Sequence, residues 1–452
     1  MGSFKDKTKV CLVLTHRQQL RSWIYNGVFR DLAQNFEMSI LLSSDFADFD
    51  FEKEFLGHSV QIWNIPRNPE IERLALFLQL VEHKKHKTFR ERIRKQILDE
   101  RVFQKRVHRV LYTLRSIRRK SLLFSIHLQP FYKYYQLKYR KYIEKNSIKK
   151  LPLADIYLVI TSVSDYSTDV LLHSLKINQK NFIQVVENWD NLSSKLSVNF
   201  DPNKLIVWSK QTRDHAVNIH GFNPQAIEIL GSPRFPNLEK VNELKRLNST
   251  ERSGLTVFYA GYFSACNNLK SVIDICQEVE KSFPNHDLKV IYRPHPINLQ
   301  ATLLEYEAYK PKNIYLDLIA SAGVNESNWP TYYDGFYDSM LNSDVIIGTP
   351  STFLLEEIMF NKPIILDYRD CGEHYNSARR YFQHSTHLEE IVASDLIPKM
   401  YKVTELPKLI VKVLSGNQFG RDSLKNYLIY NDEIEYSQRL TNALRQMKET
   451  LV

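Results

Sequence analysis

Cysteine, glycine and long apolar runs are all scarce in this 452-residue chain, and each shortage excludes something. The four cysteines, Cys11, Cys266, Cys276 and Cys371, stand far apart and form no CxxC pair. That excludes a cysteine metal cage or a disulfide framework and points to a reducing cytosol. Only 13 glycines and 17 prolines occur, too few for a collagen-like or broadly disordered chain. No stretch approaches the roughly 18 apolar residues that a membrane-spanning helix needs. The opening MGSFKDKTKVCLVLTH has an apolar run too short for a secretory signal and no small-residue cleavage site. No metal-ligand spacing appears either, so no metal site is expected.

What is present is ordinary globular material with one local bias. Hydrophobic residues make up 43% and charged residues 25%, and the 12% of aromatics are mostly tyrosine and phenylalanine. At roughly 150 residues per domain, the length suggests two or three domains. The net charge of +10 is unevenly spread: residues 84–150 hold 22 Lys/Arg against 4 Asp/Glu, which leaves the rest of the chain net negative. The basicity therefore belongs to one segment and needs its own explanation.

Short apolar runs alternate with helical patterns, the signature of a parallel α/β sheet. Strands are expected at Val10–Leu14, Ser39–Leu42 and Val60–Trp63, with one helix over Ser22–Phe36. From about 70 to 145 the pattern turns helical, and strands resume at Ile156–Ile160, Phe182–Val186 and Leu205–Trp208. The polar stretch Asn237–Gly254 reads as an interdomain linker, after which the rhythm restarts at Thr256–Ala260, Leu288–Tyr292, Ile314–Leu316, Val345–Ile347 and Ile364–Leu366. The expected organisation is a first domain over 1–237 with a basic helical insertion at 84–150, a second over 255–415, and a helical segment over 416–452. Two such halves would face a cleft, where ligands bind at strand C-terminal ends.

Two segments carry candidate chemistry. In Ser343–Glu357 a buried strand ends at Gly348 and a helix opens near Ser351. Free backbone N–H groups and the Ser351 and Thr352 hydroxyls suit a phosphate there, and Glu356 falls one turn further in, placed for ribose hydroxyls. The plainer reading is a Ser351 cap with solvent-facing glutamates. In Val290–Pro296 an apolar strand runs into Arg293-Pro294-His295-Pro296, a loop stiffened by its prolines. Arg293 and His295 would then point into the cleft and meet a diphosphate.

A strand ending in Arg-Pro-His-Pro, followed by the Asp344–Thr352 strand and turn with Glu356 and Lys362-Pro363-Ile364-Ile365, resembles bacterial glycosyltransferases of surface polysaccharides. It is also similar to the polymerases that transfer glycerol phosphate from its cytidine diphosphate to teichoic acid. Glu187-Asn188-Trp189-Asp190-Asn191 and Gly231-Ser232-Pro233-Arg234-Phe235 resemble segments of surface-carbohydrate biosynthesis proteins. The resemblance implies an α/β fold of the GT-B type, two Rossmann-like domains facing a cleft, with the donor on the second and the acceptor mainly on the first. It implies Arg293 and His295 at the donor phosphates or base, Ser351 and Thr352 at phosphate, and Glu356 at ribose. Thr349-Pro350 stands where the teichoic-acid enzymes tend to have Asp-Tyr, which argues against glycerol phosphate as the transferred group. Arg234 could reach the cleft and help to neutralise phosphate.

For acid–base work, His16 follows the first strand and could deprotonate an acceptor hydroxyl. Asp165 and Asp190 are rival carboxylates, as base or as nucleophile, unless they only cap turns. No cofactor is expected beyond a UDP- or CMP-linked sugar as substrate, and no catalytic metal. The basic segment interleaves Lys/Arg with Tyr112, Tyr132, Tyr134, Tyr135, Tyr139 and Tyr142. Such a surface suits an anionic bilayer, at about 1 kcal/mol per basic residue. A solvated helical hairpin is the alternative, and no nucleic-acid motif accompanies the charge. The expected function is transfer of a sugar to a growing glycan (O-antigen, capsule or similar) or a lipid-linked acceptor, by a cytoplasmic enzyme peripheral to the membrane. An epimerase or hydrolase of the same fold, or a basic scaffold protein, would fit the same elements.

Overall fold

The inner strands of this chain are apolar along nearly their whole length because helices cover both faces of each sheet. A computed structural model describes residues 7–46, 55, 57–65, 68–83, 86, 88, 121–162, 166–196, 200–247, 254–262, 269–295, 298–319, 337–370, 377–416 and 421–451. Thirteen strands appear among them. The first seven are β1 (Lys9–Leu14), β2 (Glu37–Ser43), β3 (Ser59–Trp63), β4 (Ile156–Thr161), β5 (Phe182–Val186), β6 (Lys204–Val207) and β7 (Ile227–Ile229). The remaining six are β8 (Leu255–Ala260), β9 (Leu288–Arg293), β10 (Ile314–Leu316), β11 (Val345–Gly348), β12 (Ile364–Asp367) and β13 (Lys399–Met400). They form two wholly parallel sheets, ordered 3-2-1-4-5-6-7 and 10-9-8-11-12-13.

Each sheet reverses its winding once, between β1 and β4 in the first and between β8 and β11 in the second. Connections leave to opposite sides there and open a crevice at the C-terminal strand ends, where ligands of open α/β sheets bind. The register fixes what borders each crevice. Leu14 pairs with Ile160, so His16 and Ser162 come next at one; Ile347 pairs with Tyr259, so Gly348 and Gly261 come next at the other.

The helices around the first sheet and the seam include α1 (Val28–Asn35), α2 (Pro69–Glu82), α3 (Ser121–Lys145), α4 (Tyr166–Ile177), α5 (Asn191–Ser194) and α6 (Lys210–His220). They continue with α7 (Leu238–Leu247), α8 (Phe353–Met359), α9 (Arg421–Leu428) and α10 (Tyr436–Leu451). One face of the first sheet is covered by α1 and α10, the other by α2, α3 and α4.

Several expected elements are redrawn. The single helix over Ser22–Phe36 is a π-turn at Arg21–Tyr25 and then α1, interrupted by Gly27 at φ 81°. That left-handed backbone suits glycine and ends the first turn. The expected linker is largely α7, whose Val241 and Leu244 are buried in the core shared by the two halves. A polar average hid this, because a surface helix needs only one apolar stripe. β7 and β13, of three and two residues, escaped because so short a run carries no period. Most of the basic segment over 84–120, including Tyr112, lies outside the described residues.

The two halves meet over an apolar seam in which Trp189, Trp208 and Phe235 pack with Phe353, Phe382 and Leu388. Polar contacts ring it. The Gln211 side-chain amide donates to the His387 carbonyl at 3.0 Å and to Glu390 at 2.6 Å, and the Tyr427 hydroxyl donates to Asp214 at 2.9 Å. Thr88, from the basic segment, accepts the Thr386 backbone N–H at 2.8 Å.

Candidate functional site

At the first crevice the chain turns sharply after β1, and Gln19 organises the turn. Its carbonyl oxygen accepts the N–H groups of Thr15 (2.7 Å) and His16 (3.2 Å). Its amide nitrogen faces the Thr15 and Ser162 hydroxyls, the Ile160 carbonyl and Glu187, all within 3.0–3.2 Å. Ser162 also donates to Glu187. Fully buried, Gln19 thus ties the ends of β1, β4 and β5 together.

His16 stands on this platform with its Nδ1 3.1 Å from the Asp45 carboxylate. A carboxylate accepts only, so Nδ1 carries the proton and Nε2 is the basic nitrogen. Glu187 sits beside it. Burial drives the Glu187 carboxyl above its usual range, against the pull of Ser162, Gln19 and His16. A carboxyl with a raised pKa next to an oriented imidazole can give and take protons. Neither Gln19 nor Glu187 stands out in the sequence, although Glu187 heads the Glu-Asn-Trp-Asp segment; nothing local marks a glutamate as buried.

Asp190, three residues on, begins α5. It accepts Lys195 at 3.2 Å and the Ser194 hydroxyl at 3.3 Å. Burial works to raise its pKa, but the positive charge of Lys195 and the nearby His387 outweigh it and hold it below the ordinary value. A carboxylate so stabilised is a weak base. Its neighbours lock the seam: the Ser193 hydroxyl lies 3.1 Å from His387, and the Trp189 and His387 rings meet edge to face at 4.8 Å. Asp165 lies outside the described residues.

At the second crevice the loops after β8 and β9 are pinned together. The Gly261 N–H donates to the Arg293 carbonyl at 2.7 Å, and a Cβ on Gly261 would lie 2.8 Å from that oxygen and 2.9 Å from the His295 nitrogen. Arg293 does not reach into the cleft as its sequence position suggests. Its guanidinium is buried, donates to Asp317 at 2.8 and 3.2 Å, and sits over the rings of Phe258 and Phe353. Strand alternation sets it on the Ile291 side, buried against the seam core, where Asp317 compensates the charge. His295, half-buried, borders the crevice, and burial lowers its pKa.

β11 ends at Gly348, where a side chain would crowd its neighbours: a Cβ there would lie 2.6 Å from Leu354 and 2.8 Å from Glu357. A tight turn comes next, with the Ser351 N–H on the Thr349 carbonyl at 2.6 Å, and α8 begins at Phe353. Thr352 occupies the cap position without a side-chain cap bond, and Ser351 is not the cap that the plainer reading made it.

Glu356 and Glu357 do not face solvent; both are fully buried. Glu356 accepts Arg234 Nε at 2.7 Å, an ion pair from α8 across the seam to the Gly231–Phe235 loop. Its second oxygen has no hydrogen-bond partner, and neither does either oxygen of Glu357. Burial, reinforced by the Glu356 charge, pushes the Glu357 carboxyl well above the usual range, against Arg293 and Arg421. Arg369, beyond β12, also carries no sequence signal; it grips Asp367 with two bonds of 2.7 Å, and Tyr259 donates to the same carboxylate at 2.6 Å. Among the described residues, no group of three or more His, Cys, Asp and Glu is placed to hold a metal ion, and no helix is long and apolar enough to cross a membrane.

The structure therefore gathers His16, Glu187 and Asp190 on the first half, and His295, Gly348, Ser351, Thr352 and Glu356 on the second, with Arg234 bridging. No family model and no curated protein matches the sequence. Solved structures do. A UDP-GlcNAc 2-epimerase from Methanocaldococcus jannaschii is similar over 97% of this chain and 100% of its own, at TM-score 0.50 and 12% identity. The fold is GT-B-like. A putative UDP-N-acetylglucosamine 2-epimerase from Listeria monocytogenes covers 98% and 97% at TM-score 0.49 and 12% identity. A variant of the wall teichoic acid polymerase TagF covers 98% and 90% at TM-score 0.48 and 12% identity.

Proposed function

We propose that the protein transfers a sugar from a nucleotide-sugar to a hydroxyl of a growing surface glycan or lipid-linked acceptor. The observation that carries this reading is the Glu356 carboxylate, buried at the seam beyond β11 with one oxygen on Arg234 and the other without a partner. A buried acceptor without a donor is costly, roughly 1–3 kcal/mol, unless a ligand supplies one. The vicinal hydroxyls of a ribose do. Ser351, Thr352 and the turn's N–H groups flank it and suit a diphosphate, with Arg234 as the adjacent cation. Opening of the seam admits the nucleotide, and closure brings Arg234 back to the leaving group.

On the facing crevice, His16 takes the acceptor proton on Nε2 as the acceptor oxygen bonds to the anomeric carbon. The bond from that carbon to the diphosphate breaks with its electron pair going to the phosphate oxygen. Asp45 stabilises the imidazolium, and Asp190, with its depressed pKa, holds the seam. His295 is the side chain nearest the β9 end available for the base or phosphate, with Arg293 fixing its loop from below.

A second reading has one observation in its favour: Glu187 is a buried carboxyl with a raised pKa beside His16. Such a pair could act on a bound nucleotide-sugar with no acceptor, as an epimerase or hydrolase does. A thermal-shift screen against UDP, CMP, CDP, GDP and dTDP and their sugar conjugates tests the common part, because a ligand that binds only the native state raises its stability. Stabilisation by one nucleotide family supports a donor site, and none at millimolar concentration leaves the scaffold reading. Incubation with the chosen donor, with and without glycan acceptors, then separates transfer from acceptor-independent turnover.

A further inference from the structure

The face of the first sheet away from α10 carries a groove that contains no residue of either crevice. It lies between α2, α3 and α4, has a volume of about 820 Å³ and is lined also by Phe200 and Asp201. That size accommodates a small organic ligand or part of a lipid. Leu78, Leu137, Ile143 and Ile177 give its walls an aliphatic strip, and Glu82, Asp169, Lys133, Arg140 and Lys176 stand around it.

One polar side chain inside it is out of place. Gln79 on α2 lines the groove and is 4% exposed, yet neither its amide oxygen nor its nitrogen has a hydrogen-bond partner. Buried amides are almost always satisfied, and an orphaned pair in a cavity marks a missing partner with both donor and acceptor groups, or a hydroxyl. Nearby the Tyr139 hydroxyl donates to Asp169 at 2.7 Å, so that acid is already occupied.

The mouth of the groove explains what arrives there. Along the exposed face of α3 stand Lys133, Arg140, Lys141 and Lys145, with Glu144, the only acid of the helix, accepting Arg140 Nε at 2.9 Å and leaving the two terminal amino groups of Arg140 to the groove; Lys149 and Lys150 come after them. Between these charges Tyr134 and Leu137 are 62% and 59% exposed, and Ile177 at the end of α4 is 54% exposed. Large apolar side chains held out among basic ones fit the boundary between headgroups and acyl chains. We propose that this groove binds one anionic phospholipid of a bilayer. Its upper acyl chain lies along Leu78, Ile143 and Ile177, its glycerol region meets the Gln79 amide, and its phosphate is held by Lys133 and Arg140. The site is separate from the donor crevice and holds whichever reaction the protein performs.

The test uses the full chain. Sedimentation with phosphatidylcholine vesicles, with and without phosphatidylglycerol, reads the surface; titration with monomeric dihexanoyl-phosphatidylglycerol reads the groove. Binding is expected only with the anionic lipid, falling with salt and lost severalfold in the surface variant Lys133→Glu/Arg140→Glu. Ala75→Trp, which fills the groove, and Gln79→Leu should weaken the monomeric lipid at least fivefold while thermal midpoint and nucleotide-induced stabilisation stay as in the wild type. Wild-type titration curves in both groove variants would overturn the proposal, as would equal affinity for glycerol phosphate, or retention on RNA with none on vesicles.

Discussion

The two crevices are built on the same topology and finished in opposite ways. At the first, every polar group of Gln19 is engaged, and Ser162 and Glu187 close a network across three strands. At the second, two buried glutamates share a helix, with three of their four oxygens unpartnered and the fourth held from the other half of the molecule. A satisfied network is rigid and needs nothing further; an unsatisfied one is held in a less favourable state until something binds. On the proposed function, the first crevice would serve proton transfer and the second the arrival and departure of a ligand.

The strongest break in that contrast is Glu356→Ala. Removing the carboxylate should raise the Kd for the stabilising nucleotide by at least tenfold, and by more than a hundredfold if both ribose hydroxyls depend on it, read by isothermal titration. The fold should persist, because Arg234 is already partly exposed and can turn to water. At the first crevice, Glu187→Gln should bind nucleotide as well as the wild type. It should abolish acceptor-independent turnover if that is the activity, and alter sugar transfer far less.

Acid should act on the seam between the crevices. Burial lowers His387 to about 4 and His215 to about 3, from 6.5. The unfolded chain takes up these protons first, so stability is full above about pH 6.5 and falls as the pH drops toward 4. Thermal midpoints should decline through that window, and His387→Phe should flatten the profile.

Gly348→Ala should cost about 1–3 kcal/mol by overpacking, seen as a lower denaturation midpoint, because its Cβ meets Leu354 and Glu357. The smallest effect expected is that of Glu357→Gln. If the carboxyl is already neutral, the amide replaces it with a change under about 1 kcal/mol, whereas a charged Glu357 paired to Arg293 or Arg421 would make the loss several times larger.

Much of the architecture was legible because parallel strands announce themselves as short apolar runs, and Gly348, Ser351 and Glu356 could be placed from the strand–turn–helix order. The direction of a side chain could not be. Arg293 ends the same apolar run that leads to His295, yet strand alternation sends it to Asp317, a partner 24 residues away. Gln19 and Gln79 gave no signal at all, since a glutamine's importance depends on what lies around it after folding. Arg234 and Glu356, 122 residues apart, meet only because two domains do.

The chain passes between its halves twice, and the two passages are stitched together. Leu238 at the start of α7 donates its N–H to the Asp432 carbonyl at 2.8 Å, the Asn237 amide donates to the Glu433 carbonyl at 3.2 Å, and Arg439 from α10 reaches back to the Leu230 carbonyl at 3.0 Å. One strand of polypeptide would be a swivel, free to twist in any direction. Two, pinned side by side, make a door: rotation about the line of the pins is easy, while shear and torsion strain both at once. Arg234 lies between these pins in sequence, so the Glu356–Arg234 contact fastens the second half along the same line.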